Sequence, residues 1–167
     1  MFVFNFTKNL IIQIILLCIS LSVSAPLSAI EEPIQQIQTV YFGSVITRLG
    51  SCEMDAVTGS ITSSGNICIG SETLGHYRIT GDPNEVQEIT FSLVTDLSRG
   101  IQFAPKGRLV NNLGDDMLAP IAGAKYSIML GSDGLLDIYV GGTLTFTKIQ
   151  NNNSGISLNY DIESITP

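Results

Sequence analysis

The chain is 167 residues long, with 8 lysines and arginines against 15 aspartates and glutamates and a formal net charge of −7 at pH 7. So acidic a balance argues against a nucleic-acid partner, because phosphate binding needs clustered Lys and Arg. One histidine, His76, and three cysteines leave little room for metal or acid–base chemistry.

The N-terminus comes first. Lys8 precedes an apolar run from Leu10 to Ser20 that only Gln13 interrupts, and the small-residue tail Ser22-Val23-Ser24-Ala25-Pro26-Leu27-Ser28-Ala29 follows. A basic residue, an apolar core and small residues in that order predict a secretory signal peptide over 1–29. Cleavage is expected after Ala29, since a cut after Ala25 would leave Pro26 at the new terminus. The alternative, a membrane anchor, needs about 20 apolar residues and a basic stop-transfer cluster, and the run offers neither. Leu17 before Cys18 does not suit a lipidation signal, so Cys18 is expected to leave with the signal peptide. Processing leaves 138 residues (167 less 29) with net charge −8, because Lys8 is the only charge removed. That is one domain's worth of chain, enough for a single buried core.

Residues 30–40 hold Glu31, Glu32, Pro33 and three glutamines and read as an N-terminal arm ahead of a single domain over 41–167. Cys52 and Cys68 follow in a stretch rich in Gly, Ser and Thr. In an oxidising compartment two remaining cysteines pair. A metal site lacks further ligands nearby, and no Cys-x-x-Cys redox motif is present. A Cys52–Cys68 disulfide is therefore expected, stabilising the fold by about 3 kcal/mol on the loop-entropy model.

Helix signals are scarce beyond residue 30. Short runs of β-branched and aromatic residues between Gly, Asn, Asp and Pro predict strands near 38–48, 67–70, 76–80, 88–95, 108–112, 125–130, 135–140, 143–148 and 155–164. Ile89, Phe91 and Leu93 alternate with polar neighbours, as do Ile156, Leu158, Tyr160 and Ile162, so each run has one buried and one wet face. Turn chemistry separates them, as in Gly81-Asp82-Pro83-Asn84 and Gly131-Ser132-Asp133-Gly134. Short strands at this spacing without crossover helices predict an all-β, antiparallel β-sandwich of the immunoglobulin-like or pilin-like kind. Gly141-Gly142 within a strand run is expected to mark a bulge or bend.

Catalytic signatures are few. No nucleophile elbow, phosphate cradle or dinucleotide fingerprint occurs. His76 could act as a general base but is expected to be an ordinary strand residue. Asp115-Asp116 and the pair Asp133 and Asp137 lack the spacing of a calcium loop. No cofactor and no metal site is expected. Asn152-Asn153-Ser154 fits a glycosylation sequon.

Four segments arrive in a fixed order: Tyr41-Phe42-Gly43-Ser44; Gly75-His76-Tyr77-Arg78-Ile79-Thr80-Gly81-Asp82-Pro83-Asn84; Ile138-Tyr139-Val140-Gly141-Gly142-Thr143-Leu144; and Gly155-Ile156-Ser157-Leu158-Asn159-Tyr160. The set resembles the bacterial DUF4402 family of exported domains over residues 40–162. The matching motif positions are Phe42, Gly43, Thr80, Gly81, Pro83, Asn84, Val140, Gly141, Gly142, Thr143, Leu144 and Tyr160. The closing strand departs from the family pattern, with Asn153-Ser154-Gly155 at its entry and chain continuing past Tyr160, and the cysteine pair is not a family feature.

The resemblance implies an exported β-sandwich similar to chaperone–usher fimbrial and spore-coat-type pilin subunits. Such subunits complete one another by strand addition. The candidate donor arm here is 30–40, with Ile30, Ile34, Ile37 and Val40 as anchors, although their spacing breaks strict alternation and Pro33 removes one ladder donor. Partners would be like subunits, other fimbrial or coat subunits and a periplasmic chaperone, with no membrane span after cleavage. The competing expectation is a free-standing periplasmic or secreted module that binds a ligand through Tyr41, Tyr77 or Tyr139. An enzyme is not expected.

Overall fold

The computed structural model describes residues 34–46, 48–65, 67–149 and 159–167, all within one compact unit spanning 32–167. The expected signal peptide with Cys18, the anchor Ile30, the Asn152 sequon and the alternating positions Ile156 and Leu158 lie outside the described residues.

The described residues form thirteen strands and no helix: β1 (Ile34–Gln38), β2 (Ser44–Val45), β3 (Gly50–Met54), β4 (Ile61–Ser64), β5 (Cys68–Ile69), β6 (Gly75–Thr80), β7 (Val86–Phe91), β8 (Val94–Asp96), β9 (Ile101–Val110), β10 (Asp116–Ala119), β11 (Lys125–Met129), β12 (Leu135–Phe146) and β13 (Ile162–Ile165). Every pairing is antiparallel. Eight strands build one sheet, β11-β7-β13 build a second, and β2 with β5 form a short ribbon. The expected antiparallel all-β architecture is present.

The pair β9–β12 organises the large sheet. It runs from Asp137↔Val110 to Phe146↔Ile101 without a register shift. On its other side β12 pairs first with β6, up to Val140, and then with β3, from Gly142. Gly141-Gly142 therefore mark a change of neighbour, not a bulge against β9. Gly142 has φ +130°, and a Cβ there would run into the Ala104 carbonyl.

A proline and a glycine inside a ten-residue strand look like breakers. Pro105 is tolerated because β8 begins opposite Phe103 and β10 ends opposite Gly107, which leaves 104–106 without a partner on that edge of β9 and no ladder there to interrupt. Gly107 leaves room for Phe91, whose ring occupies the space a Cβ would take.

One parity of β9 and β12 faces inward. Leu109, Leu136, Ile138 and Val140, with Ile79 of β6, meet Ile89 and Phe91 of β7 and Ile128 of β11 in a first core between the two sheets. Ile101, Phe103, Leu144 and Phe146, with Cys52 and Met54 of β3, meet Phe42 and Ile67 in a second core under the ribbon. In place of one undivided core there are two clusters, and Tyr160 packs against both. Tyr77 donates a hydrogen bond to the Tyr160 hydroxyl at 2.8 Å, and the Tyr160 ring meets Phe103 edge-on at 5.3 Å. Burial pushes the Tyr160 phenol far above its usual range. Beyond Tyr160, β13 is held through Gln87 of β7, whose buried amide accepts from Ser164 and donates to Thr166.

The expected disulfide is formed. Cys52 of β3 and Cys68 of β5 are bonded with their Cα atoms 6.1 Å apart, closing a sequence separation of 16.

Several expected strands change. Of the expected run 38–48, the described residues place only Gln38 at the end of β1, an isolated bridge at Tyr41 and the two-residue β2 in strand structure. The described part of the expected arm, as β1, is a strand of the domain itself, paired with β6. The run 88–95 divides because the chain leaves the second sheet after Phe91 and enters the large one at Val94, so Leu93 stays 51 % exposed. The runs 135–140 and 143–148 are one strand, β12. The run 108–112 is the end of the longer β9, and the closing run holds only β13 within the described residues. Glycine and serine masked β3 and β4, and β10 carried no strong pattern.

Gly107→Ala is expected to lower stability by roughly 1–3 kcal/mol through overpacking against Phe91. A reduced midpoint in urea unfolding checks this; an unchanged midpoint would mean that the ring yields without cost.

Candidate functional site

The alternation that points Tyr77, Ile79, Ile138 and Val140 at the first core turns their sequence neighbours outward. On β6 these are His76 and Arg78, and on β12 they are Asp137 and Tyr139. The register sets Arg78 opposite Asp137 and His76 opposite Tyr139. Across the other edge of β12, Tyr139 lies opposite Arg108 of β9. The wet face of the large sheet thus gathers these side chains into one cluster.

Asp137 is its centre. Its Oδ1 accepts from Arg78 Nε at 2.9 Å and lies 2.8 Å from His76 Nε2. Partial burial pushes the Asp137 carboxyl up, but the bonds from Arg78 and His76 outweigh it and hold the group below the usual carboxylate range. The same bond holds the Arg78 guanidinium above its ordinary value. The His76 and Tyr139 rings stack with centroids 4.8 Å apart and planes 15° from parallel. That separation is about the spacing of neighbouring strands, so the two rings stand side by side on the face.

Arg108 extends the cluster toward the sheet edge. It donates to both oxygens of Asp116 on β10, Nε to Oδ1 at 2.8 Å and Nη2 to Oδ2 at 2.7 Å. This fork holds the Asp116 carboxyl below its ordinary value. One row farther on, Lys106 of β9 pairs with Glu53 of β3. Arg78 and Arg108 thus each meet an anion on the neighbouring strand, while the Lys106–Glu53 pair spans β12, which lies between β9 and β3; such pairs stabilise a solvated sheet face.

A histidine held by a carboxylate is half of a general-base arrangement. Here the ring face is covered by Tyr139, and among the described residues the ring makes no hydrogen bond to a hydroxyl or thiol. What the cluster offers is an outward face of phenol, imidazole and guanidinium groups, of which Tyr and Arg are types enriched where proteins bind partners.

The sequence motifs serve elsewhere. Phe42, Val140 and Leu144 are core residues, and Phe42 meets Phe103 edge-on at 5.7 Å. Gly43 follows Phe42 and lies close to Ile69. Thr80 ends β6. Asp82-Pro83-Asn84-Glu85 close a turn through Glu85 N–H to Asp82 O at 3.1 Å, with Asn84 at φ +62° as the second central residue of a type II turn requires. Gly81 N–H bonds to Gly134 O, joining this turn to 131–134. Thr143 lies farther along the same outward face of β12, opposite Glu53.

Of the donor-arm anchors, Ile34 packs on the first core, Val40 on the second, and Ile37 is 47 % exposed. Tyr41, Tyr77 and Tyr139 are not brought together: Tyr41 is exposed beside Thr73, Tyr77 points inward and Tyr139 outward. The weighed acids are spread between turns and ion pairs, with Asp115 bonded to Asn111 and Asp133 to Leu135 N–H. Among the described residues no group of three or more His, Cys, Asp or Glu could hold a metal ion.

No local sequence signal places Asp137 beside His76 or Arg108 opposite Tyr139. The alternation in His76-Tyr77-Arg78-Ile79 and Asp137-Ile138-Tyr139-Val140 carried the signal for which residues face out, but the register carried which of them meet. Comparisons with protein-family models, with curated proteins and with solved structures return no match.

Because the folded-state pKa of Asp137 lies below the unfolded value of about 3.9, its stabilisation is present above that pH and is lost as pH falls through the lower folded value. Asp137→Asn should cost up to about 1 kcal/mol at neutral pH and should flatten the decline of stability below about pH 4. Urea unfolding of both proteins across acid and neutral pH measures this.

Proposed function

We propose that the chain is an exported, non-enzymatic β-sandwich of the DUF4402 kind that serves as a structural or adhesive subunit, assembling with like subunits through β-strand pairing. β1 carries the proposal. Among the described residues it is an edge strand whose one neighbour in the sheet is β6. Ile34 alone of its side chains packs on the first core, and a register shift between Gln36 and Gln38 interrupts its ladder. A strand held so lightly can leave β6 and be replaced by the same strand of a neighbouring copy, because exchange re-forms the same hydrogen bonds. Until exchange, β1 covers an edge that would otherwise invite aggregation.

Export is supported by the Cys52–Cys68 disulfide, which suits the periplasm, the cell surface or the extracellular space. Among the described residues no helix is long and apolar enough to cross a membrane. Partners under this proposal are other copies, related fimbrial or coat subunits and a periplasmic chaperone. A second reading, a free-standing ligand-binding module, draws on the outward cluster of Tyr139, His76, Arg78 and Arg108.

Ile34 and Ile79 face each other in the β1–β6 register. Residues 30–167 carrying Ile34→Cys and Ile79→Cys, recovered from an oxidising periplasm, report which chain supplies β1. Assembly by exchange gives a ladder of disulfide-linked multiples on a non-reducing gel and, without the substitutions, a heat-sensitive ladder. A monomer band with only an intrachain bond would sink the assembly proposal and leave the binding module in front.

A further inference from the structure

The two cores are closed in different ways. The first lies between two hydrogen-bonded sheets, with β7 and β11 opposite β6, β9 and β12. Among the described residues the second has no such sheet opposite it. Its cover is the chain over 40–46 and 67–74, which contributes Phe42 and Ile67 as buried side chains and Val45 and Leu74 as partly buried ones. Within this cover the hydrogen bonds are local: two-residue strands β2 and β5, the mutual Tyr41–Thr73 pair at 2.8 Å, and Ile46 N–H to Ile67 O at 2.6 Å.

Among the described residues, the bonds that fasten the cover to the large sheet gather at one spot. There Cys68 is bonded to Cys52 of β3, and the Ser63 hydroxyl of β4 accepts from Ile67 N–H at 2.8 Å and Cys68 N–H at 3.3 Å. A two-stranded ribbon of this length is not stable by itself in water. Ordering the chain on either side of it costs conformational entropy that few buried side chains offset.

We infer that the Cys52–Cys68 bond is a redox latch on the second core alone: the oxidised chain has both cores closed, and the reduced chain keeps the first core folded while the cover over the second opens. Closing the latch breaks two S–H bonds and forms one S–S bond. The two electrons and two protons pass to the disulfide of a thiol–disulfide exchange partner, which becomes a dithiol. Opening reverses these transfers, with a dithiol as the electron donor. The chain would thus finish folding only where such a partner is kept oxidised.

Native-state hydrogen exchange on the full-length oxidised protein, before and after treatment with dithiothreitol, tests the latch. Exchange at β2, β5 and the flanking cover should accelerate at least tenfold on reduction, while protection at β6, β7 and β11 stays unchanged. Reoxidation should restore the original pattern. Free-thiol titration confirms that reduction has occurred, and a bond that resists dithiothreitol under native conditions would overturn the latch. Equal loss of protection in both cores, or no loss in either, would also overturn it. The paired variant Cys52→Ser with Cys68→Ser should reproduce the reduced pattern, and the native reduction experiment decides the matter if that variant does not fold.

Discussion

The register between β9 and β12 is the constraint on which the other features rest. Their pairing holds over ten consecutive residue pairs, so the parity of both strands is set along their whole length. A slip of one residue would turn the buried set outward and the charged set inward. Through that shared parity the two strands form one wall of both cores. They also present the outward row in which Arg108, Tyr139 and His76 are neighbours. The departures from strand chemistry within the pair each have a local cause: Pro105 borders a gap between two edge strands, Gly107 accommodates the Phe91 ring, and Gly142 allows close approach to the Ala104 carbonyl.

Around this wall the fold uses two kinds of closure. Sheet against sheet closes the first core by burial, and each fully buried large side chain there contributes about 1.5–3 kcal/mol. Over the second core, a covalent bond and one serine hydroxyl hold a short ribbon in place. Tyr160 connects the two. Its ring packs against both clusters while its hydroxyl is satisfied by Tyr77, so the chain entering the final strand is tied to the centre of the molecule. The hydroxyl also lies over Gly75, where a side chain would crowd it.

The outward cluster and the edge strand β1 answer to different physics. In the cluster each anion is matched by a cation on the next strand, and the depressed carboxyls of Asp137 and Asp116 follow from those matches. Such pairs rigidify a face without adding much stability, because water screens partly exposed charges. β1, by contrast, is held mainly by backbone hydrogen bonds to one neighbour, which a second copy could supply equally well. Under the proposed function, this lightly held edge is where a second copy would join, and the outward cluster is a separate face of the same domain.

Local chemistry made much of this legible in the sequence. Alternation in His76-Tyr77-Arg78-Ile79 and in Asp137-Ile138-Tyr139-Val140 marked strands and their two faces, turn residues such as Pro83 and Asn84 marked the ends, and two cysteines in an otherwise unremarkable stretch marked the bond. These signals are local because strand period, turn dihedrals and cysteine supply are properties of a few adjacent residues. Only the tertiary structure decided that 135–146 is one strand, that the chain changes sheets after Phe91, that the described part of the expected arm pairs with β6, and that Asp137 holds His76 and Arg78. Each depends on which strand lies beside which, and in what register. That is settled by how whole faces pack and which hydrogen bonds close across strands distant in the chain, information no short stretch of residues carries.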